Sequence, residues 1–298
     1  MKLDLHTSFY DFIERFPDSD ACIRHMACVK IGQEPVCPYC ERDTLFQTSY
    51  DVRKLYCRTC RKYIAHRSRT LMWRSHVCAW KWFYLLLLLA NHSSGLSIDH
   101  LSRHLGVSRT AAVRMLSRAR LHMREAFPMR RMGGPGEVVQ IDETWLPNVY
   151  DSRQKNGKGA IIFGIHDKSG VCTWVVPDRK NSTLVELIDK WVDADSILVT
   201  DCHRSYHSLS QNGFNHIRLN HKRGEWVRGV YSMAWIESYW TSLKYFVRSR
   251  NRTVKEANLR LYLAEHAFRH NAQIEGVYPF ERLISSFPDI DSPQLPRI

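Results

Sequence analysis

The sequence lacks a hydrophobic run long enough to cross a membrane. Its longest apolar stretch, Trp80–Ala90, has about half of the roughly 20 residues that a spanning helix needs, and Lys81 interrupts it. Residues Met1–Asp11 are mixed in charge and do not show the pattern of a secretory signal peptide. Internal repeats and long low-complexity segments are absent as well. We therefore expect no membrane partner, a buried core helix at Trp80–Ala90, and two or three domains in the 298 residues.

The nine cysteines do not form the even set that a disulfide scaffold requires. Four of them lie in a metal-binding pattern, and this usage fits a reducing compartment: the nucleoid-associated cytoplasm of a prokaryote, or the nucleus of a eukaryote. A second metal site is conceivable at Cys22, His25 and Cys28, but their spacing matches no standard pattern, and buried thiols are the favoured interpretation. Three further cysteines are expected to be core or incidental residues: Cys78, Cys172 and Cys202.

Acidic residues are scarce in one segment of the chain. Residues 51–131 carry 17 basic and 3 acidic residues, whereas residues 1–50 carry 5 and 8, and residues 132–298 carry 21 and 19. The excess of positive charge is therefore concentrated in residues 51–131. Such a block favours a polyanion partner, most simply nucleic acid. A basic membrane-surface segment is the alternative, but the block contains a zinc motif and a helix-turn-helix pattern instead of one amphipathic helix.

The zinc motif consists of two C-x2-C pairs separated by sixteen residues: Cys37 and Cys40, then Cys57 and Cys60. Each pair presents two thiolates to one tetrahedral ion, and two intervening strands, predicted at 44–50 and 53–56, would return the second pair to the first. The pattern predicts one structural Zn²⁺. Because four thiolates complete the coordination, this ion is expected to hold the fold and to take no part in chemistry.

A helix-turn-helix pattern follows the zinc motif. Ser97 is placed to cap one helix, Gly106 to end it, and Ser108 to cap a second helix. One face of the second helix is apolar and comprises Ala112, Leu116, Ala119 and Met123. The other is polar and comprises Thr110, Arg114, Ser117, Arg118 and Arg124. This layout is typical of a recognition helix, so Arg109, Arg114 and Arg118 are candidates for DNA contact; a helical hairpin that only packs could show the same periodicity.

Beyond residue 131 the composition changes. The segment Met132–Gly136 is rich in glycine and predicts a hinged linker. Three predicted strands, a helix and two more strands then follow in the order of an RNase H-like α/β domain. The predicted organisation is an N-terminal helical segment (1–35), a zinc ribbon (36–76), a helix-turn-helix DNA-binding region (77–131), a linker (132–137), an RNase H-like catalytic domain (138–288) and a tail (289–298).

Three acidic residues lie at the ends of predicted elements of this last domain. Asp142 and Asp201 each close a short β-branched run that predicts a buried strand, and Glu237 opens the helical stretch Ile236–Arg248. Between the two aspartates lie 58 residues, and between Asp201 and Glu237 lie 35. Ligand crevices in α/β sheets lie at strand ends, so this D, D, 35, E arrangement predicts a carboxylate site.

Three carboxylates suit a site for two Mg²⁺ or Mn²⁺ ions, because Mg²⁺ prefers oxygen ligands and two such ions can support in-line displacement at phosphorus. We expect Asp142 to bridge the ions, with Asp201 and Glu237 each completing one. Glu143 competes for the first position. As neighbours on a strand, Asp142 and Glu143 must point to opposite faces, and Asp142 is favoured.

The predicted helix that carries Glu237 is expected to be capped by Ser232. Lys244 and Arg248 fall on the same face as Glu237, and such cations beyond a metal ligand suit phosphate contacts. A solvated helix face rich in Glu and Lys would show the same spacing.

A zinc ribbon, a helix-turn-helix and D…D-x35-E in this order resemble the zinc-ribbon DDE insertion-sequence transposases related to the Merlin superfamily. The resemblance spans residues 20–285 and is carried by the two C-x2-C pairs, Gln140–Thr144, Thr200-Asp201, Ile236–Trp240 with Leu243-Lys244, and Ala267–Asn271. It implies Mg²⁺-dependent transposition by an RNase H-like domain and points to Asp142, Asp201 and Glu237.

The leading hypothesis is therefore a transposase that binds element ends, cleaves DNA strands and joins each freed 3′-OH to target DNA. Its expected partner is double-stranded DNA, both terminal inverted repeats and target, on which the chain is expected to form a homo-oligomer. Two alternatives stay open: a DNA-binding regulator derived from a transposase, and an RNase H-like structure-specific nuclease.

Overall fold

The structure is a computed structural model, and it describes residues 7–33, 36–37, 39–43, 45–47, 54–92, 96–127, 129–147, 149–150, 159–250 and 254–290. Parts of the predicted ribbon strands, residues 44, 48–50 and 53, lie outside this range, as do residues 291–298 of the predicted tail.

The helices are α1 (Phe9–Arg15), α2 (Ser19–Gln33), α3 (Ala79–Asn91), α4 (Ile98–Leu105), α5 (Arg109–Ala126), α6 (Asn181–Trp191), α7 (Ala234–Arg250), α8 (Glu256–Glu275) and α9 (Pro279–Ile284). The strands are β1 (Leu45–Gln47), β2 (Lys54–Cys57), β3 (Tyr63–Ala65), β4 (Val138–Leu146), β5 (Val149–Tyr150), β6 (Ala160–Asp167), β7 (Gly170–Val176), β8 (Ile197–Asp201), β9 (Asn215–Leu219), β10 (Val227–Arg228), β11 (Tyr231–Ser232) and β12 (Val254–Lys255).

Two compact units divide the chain: the described residues up to Phe127 together with those from Val277 onward, and a second unit that ends at Gly276. In the first unit the apolar helix α3 packs against α2, α4, α5 and α9, which explains why an almost uninterrupted leucine run is buried. The predicted buried core helix is thus present. Among the described residues no helix combines the length and apolar character that a bilayer crossing requires.

The cysteine pairs lie on a small antiparallel sheet in the order β1-β2-β3. The third strand, Tyr63–Ala65, was not predicted from the sequence because three residues are too short to show alternation. Leu55 and Ile64 pack beside Cys37 and Cys57 in a small core of their own. A core this small can stabilise little by burial alone, which leaves room for a metal contribution.

The second unit contains a five-stranded sheet in the order β7-β6-β4-β8-β9. β6 is antiparallel to both of its neighbours, β7 and β4, whereas β4, β8 and β9 are parallel to one another. Helices α7 and α8 cover one face, with Ile236 and Leu243 in its core, and α6 covers the other, with Leu184 and Ile188 in its core. This mixed sheet with helices on both faces is consistent with the predicted RNase H-like fold.

The structure differs from the sequence prediction at the linker. Instead of a hinge, the segment is hydrogen bonded to the second unit: Met132 pairs with Val192, and Gly133 donates its N–H to the buried Asp167. Gly133 has a φ of 82°, and a Cβ there would lie 2.2 Å from Oγ of Ser196. A glycine at this position therefore lets the backbone lie close to Ser196. From the sequence alone this role cannot be distinguished from flexibility.

Two boundaries also differ from prediction. The unit that contains the large sheet ends at Gly276, whereas the predicted catalytic domain extended to residue 288, because α9 packs with α3 and α5 of the other unit. The predicted capping residue Ser232 belongs to β11, and α7 begins two residues later at Ala234.

Candidate carboxylate site and metal centre

The register of β4 and β8 brings two of the three candidate carboxylates together. Gln140 is level with Val199 across this parallel pair, and continuing the register by two residues makes Asp142 level with Asp201. Residues level with each other on adjacent strands point to the same face, here the face covered by α7. Asp201 also accepts a hydrogen bond from the backbone N–H of His203 (2.8 Å), which orients its carboxylate at the strand end.

The environment of Asp142 disfavours its ionised form. Burial raises the pKa of Asp142 to about 7, and the negative charges of Glu143 and Asp201 add to the rise. The indole N–H of Trp240 donates to Oδ2 of Asp142 at 3.0 Å, which partly offsets these effects. A carboxyl group with this pKa is poised to exchange a proton for a cation near neutral pH.

A glycine makes room for the Trp240 side chain. Gly164 lies opposite Asp142 in the β4–β6 register, and a Cβ at Gly164 would come within 2.6 Å of the Trp240 ring. Any larger residue at Gly164 would therefore push the indole away from Asp142.

Glu143 occupies the other face of the sheet. Its carboxylate accepts a hydrogen bond from the buried hydroxyl of Tyr206, and Arg179 and His203 lie 3.7 and 3.8 Å away. The side chain of Glu143 is only 5% exposed. The expectation that Asp142 and Glu143 point to opposite faces is confirmed, and Glu143 already has a hydrogen-bond donor and two basic side chains near it.

Helix α7 carries the third candidate, Glu237, in its first turn. Gln140 ties this helix to β4, because its side-chain oxygen accepts from the backbone N–H of Ile236 at 3.0 Å. Glu237 lies one turn before Trp240, the residue that contacts Asp142. The Glu237 carboxylate is 44% exposed and lies 3.7 Å from Nδ1 of His221.

The donor set fits a hard divalent cation. Among the described residues, neither Asp142 nor Asp201 has an ion pair with a basic side chain, so two neighbouring carboxylates lack a compensating charge. Their oxygen atoms are the ligand type that Mg²⁺ and Mn²⁺ prefer. The ligand atoms of Asp142, Asp201 and Glu237 do not all lie within 4.8 Å of one another. In the described part of the chain, the four cysteines are the group that meets this spacing.

The four cysteines form a compact thiol cluster. Sγ of Cys37 lies 3.6 Å from Sγ of Cys60, Cys40 and Cys57 are equally close, and all four sulfur atoms lie within 4.8 Å of one another. Each pair lies in its own turn, and the two turns have the same hydrogen bond. Cys37 and Cys57 each donate a backbone N–H to the carbonyl five residues on, at 2.8 and 3.0 Å. Four clustered thiols are the ligand set of a tetrahedral Zn²⁺ site, so this cluster could bind Zn²⁺.

The turn after each cysteine pair shows a feature that sequence reasoning missed. The residue after Cys40, Glu41, and the residue after Cys60, Arg61, both adopt a left-handed conformation with φ of 55° and 56°. Neither is a glycine, so no residue type signalled the turn.

The helix pair α4 and α5 has the predicted caps. Ser97 and Ser108 accept from the backbone N–H three residues on, and Gly106 adopts the left-handed conformation at the end of α4. The predicted apolar face of α5 is buried. Of the cationic candidates, Arg109 is exposed and pairs with Asp99, whereas Arg114 is half-buried.

The prediction that Arg118 lies on the outer face of this helix is wrong. Arg118 is 1% exposed, and its guanidinium donates to the carbonyl oxygens of Leu71 and Trp73. Burial lowers the pKa of Arg118 to about 10, and the charge of Arg114 contributes. The helical period identified only one packing surface of α5, whereas residues 118–123 are all buried, with His122 among them.

The remaining candidates lie on α7: Lys244 is half-buried and Arg248 is exposed. The contacts of Trp240, Gln140 and Tyr206 could not be found from the sequence, since each depends on a neighbour about 60 to 100 residues away.

Comparison with known proteins identifies the family of the chain. Residues 134–271 match the ISXO2-like transposase domain. An uncharacterised transposase-like protein of Haemophilus influenzae is 35% identical over 109 residues, which cover 35% of this chain and 83% of that protein.

Solved structures are more distant. A pre-cleavage Mos1 transpososome is 12% identical, with a TM-score of 0.29, over 68% of this chain and 77% of that chain. A chain of the simian T-cell lymphotropic virus intasome is 17% identical, with a TM-score of 0.30, over 57% of this chain and 63% of that one, which is under two thirds of its length. At such scores these structures add nothing to the assignment. The family match, the bacterial relative and the Merlin-related motifs agree: the chain belongs to the ISXO2-like transposase family.

Proposed function

We propose that this chain is an active DDE transposase that cleaves DNA at the ends of its element and joins the freed 3′ ends to target DNA. The observation that carries the proposal is the pair of carboxylates, Asp142 and Asp201, level with each other on adjacent parallel strands and without a cationic partner in the described chain. Glu237 on α7 completes the set, because α7 is fixed to β4 by Gln140 and Trp240.

In the first reaction a water oxygen attacks the scissile phosphorus, loses its proton and displaces the 3′ oxygen, which leaves as a 3′-OH. In the second, that 3′-OH loses its proton and attacks a phosphorus of the target strand, and the target's own 3′ oxygen leaves. Two Mg²⁺ or Mn²⁺ ions bound here would supply activation of the attacking oxygen and stabilisation of the leaving one. Asp142 would be a ligand of both ions, and Asp201 and Glu237 would each be a ligand of one. The Trp240 N–H fixes the orientation of Asp142, and the His203 N–H fixes that of Asp201.

DNA contact is assigned to cations on two elements. Arg109 and Arg114 lie on the N-terminal half of α5, where the helix is accessible, and Lys244 and Arg248 follow Glu237 along α7. Arg118 is not part of this assignment because it is buried. The cysteine cluster is assigned one structural Zn²⁺, and assembly on DNA is expected to be homo-oligomeric.

The test is a strand-transfer assay with the DNA that flanks the gene, where terminal inverted repeats bounded by a short direct duplication should be found. With such ends as substrate, Asp142→Ala, Asp201→Ala and Glu237→Ala should each abolish Mg²⁺-dependent joining while leaving end binding largely intact. Glu186→Gln, an exposed change on α6, serves as the matched control. Full joining by Asp201→Ala would refute the site. End binding by the wild type without any joining would favour the regulator.

A further inference from the structure

The segment between β9 and α7 presents an unusual exposed surface beside Glu237. It comprises residues 221–232 and is here named the tryptophan hairpin. Large apolar side chains are exposed within it, Trp226 by 58%, Val227 by 59% and Val230 by 86%. Exposed apolar groups concentrated in a short segment favour a binding surface.

The hairpin has a defined conformation. Arg228 pairs with Tyr231, so Gly229 and Val230 form a two-residue loop. Gly229 has a φ of 63° while Val230 has no positive φ, as in the type II′ turn that suits two-residue hairpins. Glu225 accepts from Arg228 at 2.7 and 2.9 Å and from the backbone N–H of Asn220 at 3.1 Å, which fixes the base of the hairpin.

The Trp226 ring is held flat but is not covered. His221 stacks on it with ring centroids 4.4 Å apart and planes 24° apart, while more than half of the tryptophan surface stays exposed. One ring face is therefore supported and the side chain remains accessible to a second flat group. Such an arrangement suits the stacking of a nucleobase, because the Trp226 side chain is already held in place and loses little conformational entropy when a base binds.

The charges near Trp226 complement a phosphate chain. Lys222 and Arg223 are exposed next to His221, and the one acidic residue of the hairpin, Glu225, is already paired with Arg228. A flat aromatic flanked by cations is the combination that proteins use for single-stranded nucleic acid. The apolar loop alone would equally suit a protein partner, but the two cations beside the ring favour DNA.

His221 connects this surface to the carboxylate site. Its Nδ1 lies 3.7 Å from Oε1 of Glu237, while its ring supports Trp226. A strand whose phosphate lies at the carboxylates would therefore place a neighbouring base at Trp226. We propose that the tryptophan hairpin binds an unpaired base of the DNA strand at the carboxylate site by stacking on Trp226; this rests on the function proposed above.

The experiment compares the affinity of the full chain for a blunt duplex and for the same duplex with a short single-stranded extension that carries 2-aminopurine. Ca²⁺ replaces Mg²⁺ so that no cleavage occurs. Trp226→Ala should weaken binding of the extended duplex roughly 5- to 150-fold and abolish the quenching of 2-aminopurine, with little effect on the blunt duplex. Trp226→Phe should restore most of both signals. The matched control is Trp145→Ala. Trp145 is also exposed, by 42%, but it lies on the same face of the sheet as Glu143, away from the carboxylate site.

Unchanged affinity and quenching in Trp226→Ala would overturn the proposal. The proposal would also be overturned if Trp226→Ala changed the oligomeric state of the DNA-free protein and left DNA binding unchanged. The hairpin would then be a contact between copies of the chain. The proposed function fails separately: if Asp201→Ala and the wild type both stack the base but the wild type joins no DNA, the hairpin assignment stands and the catalytic one does not.

Discussion

At the scale of single residues, the sheet gives two adjacent carboxyl groups opposite environments. Glu143 is surrounded by Tyr206, Arg179 and His203, whereas Asp142 has one hydrogen-bond donor from a side chain and a second carboxylate for a neighbour. Unpaired negative charge at Asp142 costs free energy in the folded state unless a cation is bound. That cost has a measurable consequence.

The raised pKa of Asp142 predicts a pH-dependent stability without added Mg²⁺. Its carboxyl titrates near 7 in the folded chain and near the ordinary 3.8 when unfolded. Between these values the folded state binds the extra proton, so the contribution of this group to the free energy of unfolding falls as the pH rises from about 4 to about 7. Asp142→Asn should therefore raise the Tm at about pH 8 and leave it nearly unchanged at about pH 4. Thermal melts measure this, with Asp189→Asn on the exposed surface of α6 as control; equal shifts at both pH values would contradict it.

Two arginines of α5 should separate binding from stability. Arg114→Ala is expected to weaken binding of the element end, by about 1–3 kcal/mol if the side chain contacts a base, and to leave the Tm unchanged. Arg118→Ala should instead lower the free energy of unfolding by about 1.5–3 kcal/mol, because the carbonyls of Leu71 and Trp73 lose a charged donor.

Gel shifts on specific and random duplexes at several salt concentrations, together with thermal melts, measure both effects. A phosphate contact by Arg114 would weaken both duplexes alike. A stable Arg118→Ala protein with impaired DNA binding would mean that this arginine becomes accessible in the complex.

At the scale of elements, the ribbon depends on its thiols. Its core contains few residues, so loss of one ligand should unfold the three strands. The wild type should contain one zinc per chain after dialysis against Mg²⁺-free buffer, and Cys57→Ser should contain none and show a lower Tm. Cys202→Ser, which removes an exposed cysteine of the other unit, should keep its zinc. Elemental analysis measures the zinc content of each protein. Absence of zinc from carefully prepared wild-type protein would refute the assignment of a zinc ribbon.

At the scale of the whole molecule, the C-terminal helix α9 belongs to the N-terminal unit. Phe280 is fully buried against Phe12 and Phe16, and the carbonyl of Leu283 accepts from the buried His122. A fragment that ends at the glycine segment near Gly134 therefore lacks part of its own core. This fragment contains the basic residues 51–131 and is therefore a candidate for DNA binding, but we expect it to need α9 for stability.

We expect Phe280→Ala to lower the free energy of unfolding of this unit by about 3–5 kcal/mol, a core effect from a residue close to the C-terminus. Ile274→Ala, an exposed position at the end of α8, should have little effect. Fragment 1–134 should melt at a lower temperature than the same fragment joined to residues 277–290 through a flexible linker. Calorimetry compares them, and equal melting temperatures would show that α9 is dispensable.

The sequence by itself determined the features that local chemistry controls. Cysteine spacing requires only a turn of the chain, serine and glycine at helix ends satisfy or release local backbone groups, and short β-branched runs predict the strands that carry Asp142 and Asp201. Asp201 does end β8, whereas β4 continues past Asp142 to Leu146. Strand alternation likewise separated Asp142 from Glu143 before any contact was known. All of these depend on residues within a few positions of one another.

The tertiary structure alone decided which surfaces are covered. Arg118 and Ser117 are neighbours on one helix, yet only Arg118 is enclosed, because the turn at Leu71 and Trp73 packs over it. Gly133 resembles a hinge in the sequence, but Ser196 lies against it, and α9 follows the five-stranded sheet in sequence but packs in the other unit. Burial is set by chain segments distant in sequence, and neither periodicity nor composition records which of them will meet.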